Sequence, residues 1–458
     1  MGIAEFSFRT KSRAMSPSSY RAWQRLAEHD TWTPEAIAEL NKARSLEIAR
    51  FAYERSSFYR DFYESNGISA TDLRDPEVFT SLPFLTKDLI HENFDGIKTS
   101  DATERNASKS ISSGSTGHPL TVLSDRRAPV RAYEWRAMGW WGVNPWDSGT
   151  TIDRSWRSGL RKAQHALFWW PVKRSLFHTL KLDETTLDAF LEQWQKQKPQ
   201  YVVGFIGGIS QVATFASQRG VKLAPAKAIA VTAGPLLEGH RHEMEAVFGG
   251  RVYNVYRSTE SNWLAGECEQ QSGLHVYQDI KNLEVIREDG SPTDIGEEGE
   301  TVFTDFENRV FPLVRYRIGD RTSRLDGACA SVPAGDDDPG PHRRCARIAE
   351  RPSTHRRYFR LLRGLRGIPP PVAGIPGRGL RRGGHCPADG PPRRASRSRG
   401  TGRPVAGPRR RRSARDDADC RRDRAGSRQV PADRERRAAP RNDALSGAAE
   451  LPRPRRRA

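Results

Sequence analysis

The stretch Asp183-Glu184-Thr185-Thr186-Leu187-Asp188-Ala189-Phe190-Leu191-Glu192-Gln193-Trp194 opens the part of the chain whose pattern decides the fold. Asp183 supplies a carboxylate to cap a helix in which Leu187, Phe190, Leu191 and Trp194 recur at i, i+3, i+4 and i+7. Pro199 ends it, and Tyr201–Phe205 reads as a short buried strand. A second helix carries Ile209, Val212, Phe215 and Ala216 on one face, with Gly220 just past its end. Ala226–Val231 then reads as a strand, Leu237–Phe248 as a helix stopped by Gly249-Gly250, and Val252–Tyr256 as another strand. Strand and helix alternating at this length predict an α/β fold, a mainly parallel sheet with helices on its faces. Ligands bind such sheets at the carboxyl ends of the strands. Ala233-Gly234-Pro235 and Arg257-Ser258-Thr259-Glu260 each follow a strand, so both are candidate site loops.

Working outward, the pattern after residue 282 turns antiparallel. Leu283–Arg287, a turn at Asp289-Gly290 and Glu300–Thr304 read as a hairpin, followed by a strand-like run into a Gly319-Asp320 turn. Upstream, residues 17–66 read as helices ended by Gly67. Between them lies Ser110-Ile111-Ser112-Ser113-Gly114-Ser115-Thr116-Gly117-His118-Pro119. Four hydroxyls and two glycines fill Ser112 to Gly117, a composition suited to wrapping phosphate oxygens with backbone N–H groups. A flexible turn is the alternative, and the Walker spacing with its lysine is absent. The Trp- and Arg-rich residues 130–180 read as core or as an acyl-pocket lining before they read as a nucleic-acid surface. The acyl pocket is expected around Trp135–Trp146 and Gly204–Gly208.

The formal charge of +19 is unevenly placed. Residues 321–458 hold 36 arginines, no lysine and 14 acids, a net of +22, while residues 1–320 are nearly neutral. The arginine-rich part has too little apolar content to offset the entropy of folding. It reads as a basic nucleic-acid-binding arm or as the product of a frame shift in a GC-rich gene. Enrichment in arginine alone and an abrupt change near Ala330 favour the second. Four of five cysteines fall at or after that break, so no disulfide framework is implied. No signal-peptide core and no apolar run approaching 18 residues are present, so a soluble cytoplasmic protein with no membrane partner is expected.

Three stretches in order resemble the adenylate-forming (AMP-binding) superfamily, and more narrowly the phenylacetate–CoA ligase family with its capsular-polysaccharide-type members. They are Ser112–Gly117, Tyr256-Arg257-Ser258-Thr259-Glu260 and Tyr316-Arg317-Ile318-Gly319-Asp320. Ser57–Arg60, Leu82–Lys87 and Gly273–Val276 support it, over roughly residues 40–330. The resemblance implies activation of a small carboxylic acid by ATP, then transfer from the acyl-adenylate to CoA. It implies that Ser112, Ser113, Gly114, Ser115, Thr116 and Gly117 hold phosphates, with Thr116 and Glu260 catalytic. Tyr256 would lie on adenine, with Ala233, Gly234 and Pro235 at its edge and Ser258 and Thr259 nearby. Glu260 would ligate Mg²⁺, and Asp320 would accept from the ribose. Taken singly, Tyr256 reads equally as core, Glu260 as a helix-start acid and Asp320 as a turn residue.

The chain departs from the pattern at three points. His118 stands where a lysine is usual and Arg257 where a glycine is usual. No lysine follows Lys281, so the one that a small C-terminal domain normally brings to the reacting carboxylate is missing. Loss of one such contact costs about 10²–10³ in rate. Cys268, His275 and Cys329 match part of a structural zinc pattern, with Ser331 where a fourth ligand is expected. The expected organisation is a helical region over 1–105, an adenylation core over 106–325 with its antiparallel part from about 275, and a non-native or disordered 326–458. Two alternatives are adenylyl transfer to a deazaflavin-type acceptor, and an inactive or nucleic-acid-binding product.

Overall fold

The computed structural model describes residues 2–112, 119–154, 159–325 and 347–350. Four helices open the chain: α1 (Ile3–Met15), α2 (Pro17–His29), α3 (Pro34–Arg55) and α4 (Ser57–Ser65). The side chains of Thr33 and Ser56 cap α3 and α4 by accepting from Ala36 N and Tyr59 N. Gly67 takes φ +76° just after α4, the stop its sequence position predicts. Helix α1 gave no strong periodic signal because only Phe8 and Ser12 are buried along it. Two short helices, α5 (Lys87–Glu92) and α6 (Phe94–Ile97), lead to the antiparallel pair β1 (Ala107–Ile111) and β2 (Thr121–Asp125), then α7 (Val130–Trp140).

The alternating part follows as β3 (Gly149–Asp153), α8 (Gly159–Trp169), β4 (Arg174–His178), α9 (Glu184–Gln197), β5 (Tyr201–Phe205), α10 (Ile206–Gln218), β6 (Ala228–Thr232), α11 (Glu238–Phe248) and β7 (Arg251–Arg257). Asp183 caps α9 through a bond from Thr186 N at 2.8 Å, and Gly249 ends α11 at φ +65°. The chain then runs through β8 (Trp263–Glu267), β9 (Leu274–Val276), β10 (Lys281–Ile286), β11 (Glu298–Asp305), β12 (Tyr316–Leu325) and β13 (Arg347–Glu350). Strand order in the large sheet is β10-β11-β12-β13-β9-β8-β7-β6-β5-β3-β4, with β4, β3, β5, β6 and β7 parallel. The predicted α/β fold forms: β4, β3, β5, β6 and β7 make the parallel part of the sheet, and the six further strands make its antiparallel part.

Three sequence expectations need correction. In the large sheet antiparallel pairing begins at β8, not after residue 282. All of β8 and β9 is buried, so neither strand has the polar–apolar alternation that marks a reversal. Gly319-Asp320 is not a turn but a bulge inside β12: Arg317 and Arg321 face Val302 and Glu300, leaving three residues opposite one. Several residues expected to line the acyl pocket are core instead. Trp135, Trp140 and Trp141 pack in a core with Phe8, Leu26 and Tyr277. A Cβ on Gly204 would meet Ile152 O at 2.1 Å, so this glycine is needed for close strand contact rather than for ligand space.

A buried ionic cluster fixes the N-terminal helices. Asp279 accepts two bonds from Arg136 at 2.7 and 2.9 Å and faces His29 Nδ1 at 2.9 Å. Arg136 also reaches Asp30, which takes a bond from Trp140 Nε1. Burial opposes ionisation of Asp279, but Arg136 and His29 outweigh it and hold its carboxyl down at about 2.

Candidate functional site

Strands β3, β5, β6 and β7 run parallel, so their carboxyl ends share one edge of the sheet. The loops leaving β6 and β7 are neighbours there. Ala233, directly after β6, sits at φ +66°, a conformation that costs a non-glycine residue free energy and turns the chain sharply into Gly234-Pro235. After β7 the chain closes a tight turn: Ser258 N donates to Asn262 O at 3.1 Å and Ser261 N to Ser258 Oγ at 3.0 Å. Ser258 is partly exposed and Thr259 exposed.

This turn carries Glu260 and is anchored from below. Ser261 Oγ donates to Asp305 Oδ2 at 2.8 Å, and Asp305 Oδ1 pairs with Lys281 Nζ at 2.6 Å. All three residues are buried, and Lys281 and Asp305 face each other across the β10–β11 ladder. Glu260 is 7% exposed. Burial pushes its carboxyl above the ordinary range, against the pull of Lys87 and a Ser258 hydrogen bond; nearby Asp320 adds to the rise. A small cavity of about 20 Å³ lies against Glu260, bordered by Tyr133, Asn262, Lys281 and Asp305. A larger open depression of about 540 Å³, among Glu245, Arg251, Glu269 and Gln271, shares no residue with this site.

Asp320 arrives through the β12 bulge. Gly319 at φ +87° lets the strand kink, and Asp320 stands exposed beside it. Its Oδ2 accepts from Tyr256 Oη at 2.7 Å, while its other oxygen has no hydrogen bond among the described residues. Tyr256 is 5% exposed and belongs to the hydrophobic core, so its ring is core and its hydroxyl is site. Two more residues join them that sequence reading did not assign. Tyr316 is fully buried, its Oη has no partner among the described residues, and burial with Glu260 and Asp320 nearby drives its phenol far up. Lys87 heads α5; its Nζ lies 3.4 Å from the point where a Cβ on Gly319 would sit. Leu85 sets that position by donating to Arg315 O at 3.1 Å and accepting from Arg317 N at 2.9 Å, which lays residues 82–87 along β12.

Ser112 closes the base of the Ser/Gly loop: its N donates to Leu120 O at 2.8 Å and its Oγ accepts from Leu120 N at 2.9 Å. Ser113, Gly114, Ser115, Thr116, Gly117 and His118 lie outside the described residues. Arg257 neither projects freely nor crowds the turn. Its guanidinium lies 4.9 Å over the Trp263 ring, and burial lowers its pKa despite Glu134 and Asp153. Cys268 and His275 meet, Sγ to Nε2 at 3.2 Å, both buried. Cys329 lies outside the described residues; among the described residues no cluster of three metal-binding side chains occurs.

Mg²⁺ is compatible with this arrangement. It is bound by one or two carboxylates plus substrate phosphates and water rather than by an all-protein cage. Glu260, buried and with no side-chain ion pair among the described residues, is a suitable single donor.

No family model matches the sequence. Curated relatives do. A phenylacetate–coenzyme A ligase of Thermus thermophilus is 24% identical over 312 residues, 66% of this chain and 69% of that protein. The corresponding Escherichia coli enzyme is 24% identical over 320 residues, 66% and 70% of the two chains. Protein CapK of Staphylococcus aureus is 23% identical over 290 residues, 62% of each. A solved 2-hydroxyisobutyryl-CoA ligase, in complex with 2-HIB-AMP and CoA, superposes with a TM-score of 0.55 at 18% identity, covering 70% of this chain and 69% of that one. This chain has the adenylate-forming fold and is related to the phenylacetate–coenzyme A ligases. Within that fold Tyr256 and Glu260, from one strand end, meet Asp320, which lies 64 positions after Tyr256, with Lys87 beside them. Ser258 and Thr259 come with the same turn, and Ala233, Gly234 and Pro235 with the neighbouring one.

Proposed function

We propose that this chain activates a small carboxylic acid with ATP through an acyl-adenylate and passes the acyl group to CoA. The observation that carries the reading is the convergence of Glu260, Asp320 and the Tyr256 hydroxyl at the carboxyl ends of the parallel strands, in a chain related to acid–CoA ligases. Asp320 offers an open carboxylate oxygen to the ribose hydroxyls. Tyr256 orients that carboxylate by donating to its other oxygen. Glu260, fixed through Ser261 and the Lys281–Asp305 pair, is the Mg²⁺ ligand. When bound, the ion neutralises charge on the phosphates as pyrophosphate leaves. Lys87 adds a positive charge at the same edge. The Ser112–Gly117 loop, its base closed by Ser112 and Leu120, is the phosphate-holding element, with Thr116 its catalytic hydroxyl.

Turnover by this chain is slow on the same reading. No lysine follows Lys281, and residues 326–458 carry arginine, proline and glycine where the adenylate-forming pattern expects a lysine-bearing domain. A frame shift near residue 330 accounts for the abrupt change, and resequencing the gene across the codons for residues 320–340 tests it. Exchange of labelled pyrophosphate into ATP in the presence of candidate carboxylic acids tests the activity. The expected result is slow exchange that depends on the acid and on Glu260, with thioester formed only when CoA is added. Exchange that ignores the acid, or adenylate formation with release to a non-thiol acceptor only, rejects the reading.

A further inference from the structure

The Trp- and Arg-rich stretch around α8 is not used by the site. Helix α8 buries none of its residues. Leu160, Ala163 and Leu167 recur at i, i+3 and i+7, a stripe that would face a core in an ordinary amphipathic helix. Here it faces out: Leu160 is 74% exposed, Leu167 71% and Trp170, just past the helix, 61%. The other side is held to the protein, where Trp169 stacks on Phe8 at 6.1 Å and Arg174 lies 3.9 Å over the Trp169 ring. Helix α1 extends the surface. Ser7 Oγ and Lys11 Nζ donate to Trp170 O at 2.8 and 2.7 Å, and Lys11 also to Leu167 O at 3.0 Å. Ile3, one turn before Ser7, is 76% exposed, and Phe6 beside it is 58% exposed.

Cations dominate this surface; on α1 the one acid, Glu5, is paired with Arg9. Residues 159–182 contain Arg161, Lys162, Lys173, Arg174 and Lys181 and no acid. Arg161, Lys162, Lys173 and Lys181 are exposed, as is Arg13 on α1. Apolar patches of this kind mark interaction sites. A second copy would set these cations against themselves, at a cost in free energy. Residues 351–458, with 31 arginines against nine acids, have the same sign. A nucleic acid answers the charge but not the leucines, which have no π-face to stack on bases. An anionic bilayer surface answers both: headgroups for the cations and the interfacial zone for Leu160, Leu167 and Trp170.

We propose that the α1–α8 face docks this protein on an anionic lipid surface, with α8 lying in the plane of the interface. This is peripheral docking, since among the described residues no helix is long and apolar enough to cross a membrane. It revises the sequence-based expectation of no membrane partner, and it does not depend on the ligase reading.

The test is flotation of the full-length protein with phosphatidylcholine vesicles, with and without phosphatidylglycerol, at low and high salt. The wild type is expected to float only with phosphatidylglycerol present and to stay partly bound at high salt. A Leu160→Ser, Leu167→Ser, Trp170→Ser variant should bind at least about tenfold more weakly at each salt concentration, because three apolar anchors are gone. Its melting temperature should change little, since all three side chains are exposed and only Trp170 gives up a side-chain contact, with Lys11. A triple variant that floats as well as the wild type overturns the proposal, because binding would then be electrostatic attraction to the arginine-rich residues after 350. Failure of the wild type to float overturns it too. So does binding to RNA that the triple variant loses while vesicle binding persists.

Discussion

Replacing Glu260 with glutamine will abolish the tightening of ATP binding by Mg²⁺ while leaving metal-free ATP binding within about twofold. The substitution keeps the size and one hydrogen-bonding oxygen, so Ser258 and the turn closed by Ser261 remain in place. It removes only the charge. Any adenylation that the wild type performs should fall about 10²–10³-fold with it. The pH dependence follows from the raised Glu260 carboxyl. Mg²⁺ needs the ionised form, and burial favours the neutral one, so Mg²⁺ affinity should fall as pH drops through a value above the usual 4.5. An Mg²⁺ effect that is equal in wild type and variant, or flat from pH 7 to 4.5, contradicts the assignment.

Replacing Asp279 with alanine will destabilise the folded chain by about 3–5 kcal/mol, because it leaves the buried Arg136 guanidinium short of its main partner. Chemical denaturation measures it, and a loss below about 1 kcal/mol would mean that Asp30 alone suffices. The sign of the acid response is fixed by the lowered carboxyl. Its folded-state value is about 2 against 3.8 in an unperturbed aspartate. The stabilisation it adds is therefore complete above 3.8 and lost as pH falls through about 2. In Asp279→Ala that part of the acid sensitivity should be gone.

Much of the parallel sheet could be read from the sequence because each signal there was local. Asp183 caps α9, apolar residues repeat at helical spacing, and glycines stand just past α10 and α11. Tyr256, Glu260 and Asp320 were assigned by resemblance, and the fold gathers them. The rest depended on pairings without a local mark. Lys87 reaches the site through a bridge between Leu85 and Tyr316, which lie 231 positions apart in the chain. Asp305 carries no local mark of its role, and its bond to Ser261 is set by strand register. The tryptophans of 130–146 were ambiguous because a core tryptophan and a pocket tryptophan look alike until α1 and α2 are seen packed against them. Helix α1 falls in the helical region expected over 1–105 but leaves no apolar period of its own, because most of its residues are exposed or half-exposed.

The central claim is that Tyr256, Glu260 and Asp320 form a nucleotide site. Titration of the full-length chain with ATP and Mg²⁺ in a calorimeter, beside its Asp320→Ala variant, tests it most directly. Hydrogen bonds to a charged group contribute about 1.5–3 kcal/mol, so the variant should bind roughly tenfold or more weakly, with its melting temperature lowered only modestly, because Asp320 is exposed and only the Tyr256 hydroxyl loses a partner. Saturable binding to the wild type that weakens by that factor is the predicted result. No ATP binding, or equal affinity in the two proteins, would contradict the account.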